Sequence, residues 1–181
     1  MHKKHKNEDL KILVASDSKH FISMVRVALT AEGIENITDA EDSKKALNEL
    51  ALHLPDIMII SWNFRPLSGV DFCRSIRSNP QNPARYLPII MANEFSCKEQ
   101  VKTAVDAGIN ELVVIPFSTK NILTKIHHVL EKPRTFIETP DYFGPDRRRR
   151  DDPSYKGIER RKKAGVMTPE QIAELLKANK S

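Results

Sequence analysis

The chain has 181 residues, 40% of them hydrophobic and 29% charged, which is enough for one ordinary folded domain and a tail but hardly for two full domains. Its longest apolar runs, such as Ile57-Met-Ile-Ile60, are strand-sized and fall far short of the roughly 20 residues that span a bilayer, which excludes a helical membrane span. The net charge of +5 is unevenly placed: residues 1–132 carry 17 Lys and Arg against 16 Asp and Glu, and residues 133–181 carry 12 against 8. The excess in the tail predicts an anionic partner there, whether a nucleotide, a nucleic acid or an acidic protein surface. Cys73 and Cys97 form neither a disulfide framework nor a metal-binding spacing, and no signal-type apolar segment follows the basic start, so the cytoplasm is the expected compartment.

In chain order, residues 1–9 read as a basic arm. Lys11-Ile-Leu-Val-Ala15 predicts a buried strand, and apolar residues at Phe21, Ile22, Val25, Ala28 and Leu29 predict a helix over 19–31 that stops at Gly33. Ile37-Thr-Asp-Ala40 is a second, weaker strand. Asp42 or Ser43 caps a helix ending near His53. Asp56-Ile-Met-Ile-Ile-Ser61 is the clearest strand. A loop with Pro66 and Gly69 leads to a helix around 70–77, then turn residues at Asn79-Pro-Gln-Asn-Pro83. Leu87-Pro-Ile-Ile-Met-Ala92, a helix over 97–107 closed by Gly108, Glu111-Leu-Val-Val-Ile115, and a helix capped by Ser118 running to about Leu130 complete the pattern. Five strands alternating with helices predict an α/β, doubly wound parallel sheet over residues 10–131, covered on both faces. Chemistry in such folds collects outside the C-terminal ends of the strands. The residues there are Ser16 and Asp17, Ser61, Asn93, and Ile115 with Pro116. No phosphate-cradling glycine loop, His-Glu-x-x-His or Ser/His/Asp order is present.

Ile12-Leu-Val-Ala-Ser-Asp-Ser18, Pro55-Asp-Ile-Met-Ile-Ile-Ser-Trp-Asn63, Leu87-Pro-Ile-Ile-Met91 and Val114-Ile-Pro-Phe-Ser118 resemble the landmarks of CheY-like response-regulator receiver domains. The resemblance implies strand order 2-1-3-4-5, a cis bond before Pro116, and phosphoryl transfer to an aspartate with Mg²⁺ alongside. That chemistry needs a carboxylate acceptor and acidic oxygen ligands. Matched position by position, the acid pair is Ser16-Asp17, the acceptor is Ser61, the switch hydroxyl is Asn93, the switch aromatic is Leu112 and the phosphate-sensing lysine is Ile115. The chain is therefore expected to be a pseudo-receiver: not an enzyme, not competent for aspartyl phosphorylation, with Mg²⁺ not expected and no cofactor required. Its protein partner would dock on the fourth helix, fifth strand and fifth helix, as the resemblance implies.

Residues 132–167 form an arginine-rich tail containing a tandem repeat. Pro140-Asp-Tyr-Phe-Gly-Pro-Asp-Arg-Arg-Arg-Arg150 and Pro153-Ser-Tyr-Lys-Gly-Ile-Glu-Arg-Arg-Lys-Lys163 share Pro, Tyr, Gly and the Arg pair, with the acid and the last two cations keeping their charge. Neither copy has helical or strand periodicity, so the tail is expected to be largely extended until it meets a ligand. Arg147, Arg148, Arg160 and Arg161 supply planar forks for phosphate or a guanine edge, and Tyr142 and Tyr155 supply stacking faces. Gly144 and Gly157 allow close backbone approach, and Asp146 and Glu159 can orient an arginine or accept from guanine. Gly144-Pro-Asp-Arg-Arg148 also resembles the extensions of CheY-like cyclic di-GMP effectors that act on flagellar motors, which implies cyclic di-GMP as regulatory ligand and a motility role. A solvated basic linker and salt-dependent contact with RNA, DNA or anionic lipid are the alternatives; interleaved Asp146, Asp151, Asp152 and Glu159 disfavour a simple polyphosphate clamp. Two alternatives stand for the whole chain, a constitutive adaptor and a response regulator with unorthodox sites. Thr168-Pro-Glu-Gln171 reads as a capping box opening a short amphipathic helix over 168–179.

Overall fold

The computed structural model describes residues 7–94, 97–147 and 165–179. Strands β1 (Ile12–Ala15), β2 (Ile37–Ala40), β3 (Ile57–Ser61), β4 (Ile89–Asn93) and β5 (Glu111–Val114) pair in parallel in the order β2-β1-β3-β4-β5. Helices α1 (Lys19–Thr30), α2 (Ser43–Leu52), α3 (Gly69–Ser78), α4 (Lys98–Asp106) and α5 (Thr119–Glu131) connect them. The expected doubly wound sheet is present, and the peptide bond before Pro116 is cis.

Strand alternation divides the core in two. Leu13, Ala15, Met58, Ile60, Ile89 and Met91 face one way, under α2 and α3, while Ile12, Val14, Ile57, Ile59, Ile90 and Val113 face the other, under α1 and α5. Each such side chain contributes about 1.5–3 kcal/mol by leaving water. The caps follow the residue chemistry: Ser18, Asp42, Ser68 and Ser118 each accept an N–H from the first turn of their helix.

The tail departs from expectation. Residues 136–145, expected within an extended segment, form a hairpin of β6 (Phe136–Thr139) and β7 (Tyr142–Pro145), and β8 (Gly165–Met167) pairs antiparallel with β6. The folded body thus continues past residue 131. The physical reason is an aromatic cluster with cationic partners. The rings of Tyr86, Phe136 and Phe143 lie 5.3–5.6 Å from one another. The Arg77 guanidinium lies 5.1 Å from the Phe136 centroid and that of Arg85 3.4 Å from the Phe143 centroid. Arg85 also pairs with Glu138 at 2.8 Å.

Arg77 is 2% exposed and has no carboxylate partner among the described residues. Its guanidinium donates instead to the carbonyls of Gly108 (3.0 Å), Arg85 and Leu87 (2.7 Å) and to Asn110 Oδ1 (3.3 Å). Burial pulls its pKa down to about 10.

Gly144 of the repeat meets Gly108 of the α4–β5 turn. A Cβ on Gly144 would come within 3.0 Å of Gly108 Cα, and Gly108 itself takes φ +86°, which favours glycine. The close backbone approach expected of Gly144 toward a ligand is made to the protein itself.

Helix α6 (Pro169–Ala178) opens on the expected capping box: Thr168 accepts from the Gln171 N–H, and the Gln171 side chain accepts from the Thr168 N–H. It docks rather than fraying, with Ile172 buried and Leu176 packed on the core. No helix among the described residues is long and apolar enough to cross a membrane.

Candidate functional site

At the C-terminal edge of the sheet, the five strand-end positions singled out in the sequence come together. Ser16, Asp17, Ser61, Asn93 and Ile115 line one cavity of about 250 Å³. The polar groups of Ser16, Asp17, Ser61 and Asn93 are already engaged. The Ser61 hydroxyl donates to the Asn63 carbonyl, and Ser16 Oγ accepts from the Ser18 N–H at 3.1 Å. Asn93 Nδ2 donates to Gln100 Oε1 on α4 at 3.3 Å. Asp17 faces Arg65 at 3.7 Å. Ile115 packs against the apolar core below, as does Leu112 on the other face.

Glu94, which the sequence reading did not single out, is the second carboxylate lining this cavity. It follows β4 directly, so its place at the strand ends was available from the strand assignment. Mg²⁺ fits poorly here: Ser16 and Ser61 offer hydroxyls, the lining carboxylates are Asp17 and Glu94 alone, and the Arg65 guanidinium stands beside Asp17. Elsewhere, His127 and His128 lie 3.9 and 3.8 Å from Glu131 and Glu111. Among the described residues, no group of three or more His, Cys, Asp and Glu side chains is placed to hold a metal ion.

The response regulator receiver domain model matches residues 12–127. The chain belongs to the response regulator receiver family. Chemotaxis protein CheY-3 of Vibrio cholerae is 28% identical over 126 residues, covering 70% of this chain and 95% of that protein. Chemotaxis protein CheY1 of Helicobacter pylori is 30% identical over 122 residues, covering 67% and 97%. The solved structure of chemotaxis response regulator CheY4 of Vibrio cholerae superposes with a TM-score of 0.60 at 26% identity, over 67% of this receiver chain and 98% of that one.

A second constellation lies at the far end of α4, on the hairpin that extends the receiver. Of the tail residues, Tyr142, Gly144, Asp146 and Arg147 are described; Arg148, Tyr155, Gly157, Glu159, Arg160 and Arg161 lie outside the described residues. Arg147 Cζ sits 3.8 Å from the Tyr142 ring centroid, and its Nη1 lies 2.9 Å from Asp106 Oδ1. Tyr142 Oη donates to the Pro145 carbonyl at 2.7 Å, which fixes the ring. Burial raises the Tyr142 pKa, with Arg147 pulling against it. Asp146 takes its backbone N–H to Thr135 O at 2.8 Å.

The carboxylate set on Arg147 is therefore Asp106, which the sequence reading overlooked. One signal was present: an acid in the last turn of a helix opposes the dipole and calls for a cation.

Proposed function

We propose that this receiver is a nonenzymatic signalling module, not competent for aspartyl phosphorylation, that is switched by an anionic guanine nucleotide, cyclic di-GMP, gripped by its arginine-rich tail and acts by docking to a protein partner. The observation that carries the first half is Ser61 at the acceptor position, its hydroxyl turned onto the Asn63 carbonyl. A serine ester would need a kinase of another class, and an acyl phosphate cannot form on a hydroxyl. Treatment of the purified chain with acetyl phosphate and Mg²⁺ is expected to leave its intact mass unchanged. A single phosphorylated species that depends on Mg²⁺ would favour an unorthodox response regulator instead.

The second half rests on the repeat. Two copies of a Tyr, Gly and Arg-Arg unit suit a ligand with two bases and two phosphates, and the Tyr142–Arg147 stack presents a guanidinium for both kinds of contact. Relatives named as chemotaxis proteins support a motility role; a flagellar motor protein as partner and a cytoplasmic setting are part of the same proposal.

The test is calorimetric titration with cyclic di-GMP near physiological salt, with GTP and a short RNA as controls. Saturable heat from cyclic di-GMP alone is the expected result. Heat from every anion that vanishes with salt would leave a constitutive adaptor with a basic tail, a reading favoured by the neutralisation of Arg147 on its own receiver.

A further inference from the structure

We infer that the first copy of the repeat is a fixed half-site built onto the receiver, in which Asp106 is a positioning residue that holds Arg147 flat on Tyr142 to receive a guanine nucleotide. This rests on the nucleotide reading above and adds a residue, and a body of the protein, that the repeat alone does not contain.

The support beneath Arg147 is fixed from several sides. Tyr142 is tied by its hydroxyl to Pro145, and its own carbonyl accepts from Thr139 Oγ1 at 3.2 Å. The hairpin bearing it is seated by Gly144 against Gly108 and by Phe143 against Arg85. Asp106 closes the arrangement from α4, taking one nitrogen of Arg147. A guanidinium ordinarily swings through many rotamers; here one face lies on a ring and one edge on a carboxylate.

What remains is useful. The Arg147 side chain is still 44% exposed, so the face away from Tyr142 can stack on a base and the edge away from Asp106 can meet a phosphate oxygen. Beside it, between α3 and the hairpin, runs a polar cleft of about 480 Å³ lined by Arg74, Asp106, Asp141 and Tyr142 among others. That volume is in the range of small-molecule sites, about 300–1,000 Å³. Arg74, exposed and paired with Asp71 at 3.1 Å, adds a second guanidinium for phosphate; of the three carboxylates lining the cleft, Glu138 is paired with Arg85, while Asp106 and Asp141 can accept from the guanine N1–H and N2–H₂ edge. Because Asp106 neutralises Arg147, this half-site selects by stacking and edge contacts more than by charge, which suits a base-bearing ligand over a bare polyanion.

The test compares full-length wild type with Asp106→Ala, Asp106→Glu, Arg147→Ala and the Asp106→Ala/Arg147→Ala double variant, titrated with cyclic di-GMP. Losing pre-organisation of one long side chain is expected to weaken binding roughly three- to tenfold in Asp106→Ala. Asp106→Glu is expected to recover most of the loss, and the double variant to bind no worse than Arg147→Ala alone, since Asp106 acts through Arg147. Unchanged urea midpoints separate this from a folding defect. Affinity that is unchanged or tighter in Asp106→Ala, while Arg147→Ala still weakens it, would overturn the half-site and leave the nucleotide reading standing. Wild type that binds no cyclic di-GMP would overturn the nucleotide reading and the half-site with it.

Discussion

Replacing Arg77 with alanine is expected to lower the unfolding free energy by about 3–5 kcal/mol and to release the hairpin from the receiver. The charge itself is not the source of stability. Its folded pKa, about 10 against an ordinary 12.5, means that burying the charged form is unfavourable at neutral pH; only as pH rises above about 10 would deprotonation relieve that strain. Stability comes from the acceptors the guanidinium satisfies: the carbonyls of Gly108, Arg85 and Leu87 and the Asn110 amide oxygen. Truncation empties the space and leaves those oxygens without their donor. It also removes the cation against Phe136, on which the hairpin rests. Arg77→Lys should recover little, because an ammonium cannot fork to acceptors on three sides. Urea unfolding measures the first effect, and chymotryptic cleavage at Phe136, Tyr142 or Phe143 the second. A loss below about 1 kcal/mol would mean that water replaces the guanidinium at no great cost.

The quadruple change of Arg147, Arg148, Arg160 and Arg161 to alanine is expected to weaken cyclic di-GMP binding at least a hundredfold while leaving the fold intact. Charge-assisted contacts contribute about 1.5–3 kcal/mol each, so two lost contacts already reach that factor. The structural cost at Arg147 is that of a partly exposed ion pair with Asp106 and a stack on Tyr142, each about 1 kcal/mol or less. Titration and urea unfolding of the same preparation separate the two. Wild-type affinity in the quadruple variant would remove the tail from consideration as the binding element.

The parallel sheet was legible because its strands announce themselves twice, as apolar runs and as the stops at Ser16, Ser61 and Pro116 that end them. Caps were legible for the same local reason: Asp42, Ser118 and Thr168 act within three residues of themselves. The hairpin was not. Its aromatics Phe136 and Phe143 follow no period, and the cations that receive them, Arg77 and Arg85, lie some fifty or more residues earlier. Arg77 in particular reads as an ordinary basic residue in the last turn of α3, and nothing local reveals that tertiary carbonyls will bury it. That Ser16, Asp17, Ser61, Asn93 and Ile115 would share one place was legible too, because topology alone brings strand ends together, and they line one cavity. Asp106 escaped notice since its meaning depends on Arg147, which only the docked hairpin brings near.

Helix α4 has a property that follows from these contacts. Ala104 is its one buried residue, and its two ends are tied to different places: Gln100 to Asn93 at the strand-end cavity, Asp106 to Arg147 on the hairpin. Six residues of helix set those anchors about 9 Å apart along the axis. Inserting or deleting a single residue between them would turn one anchor by about 100° relative to the other and slide it by about 1.5 Å. The helix is thus a ruler whose length is fixed by what it joins, and between its anchors only the core-facing Ala104 adds a demand on side-chain size to the demand on residue count.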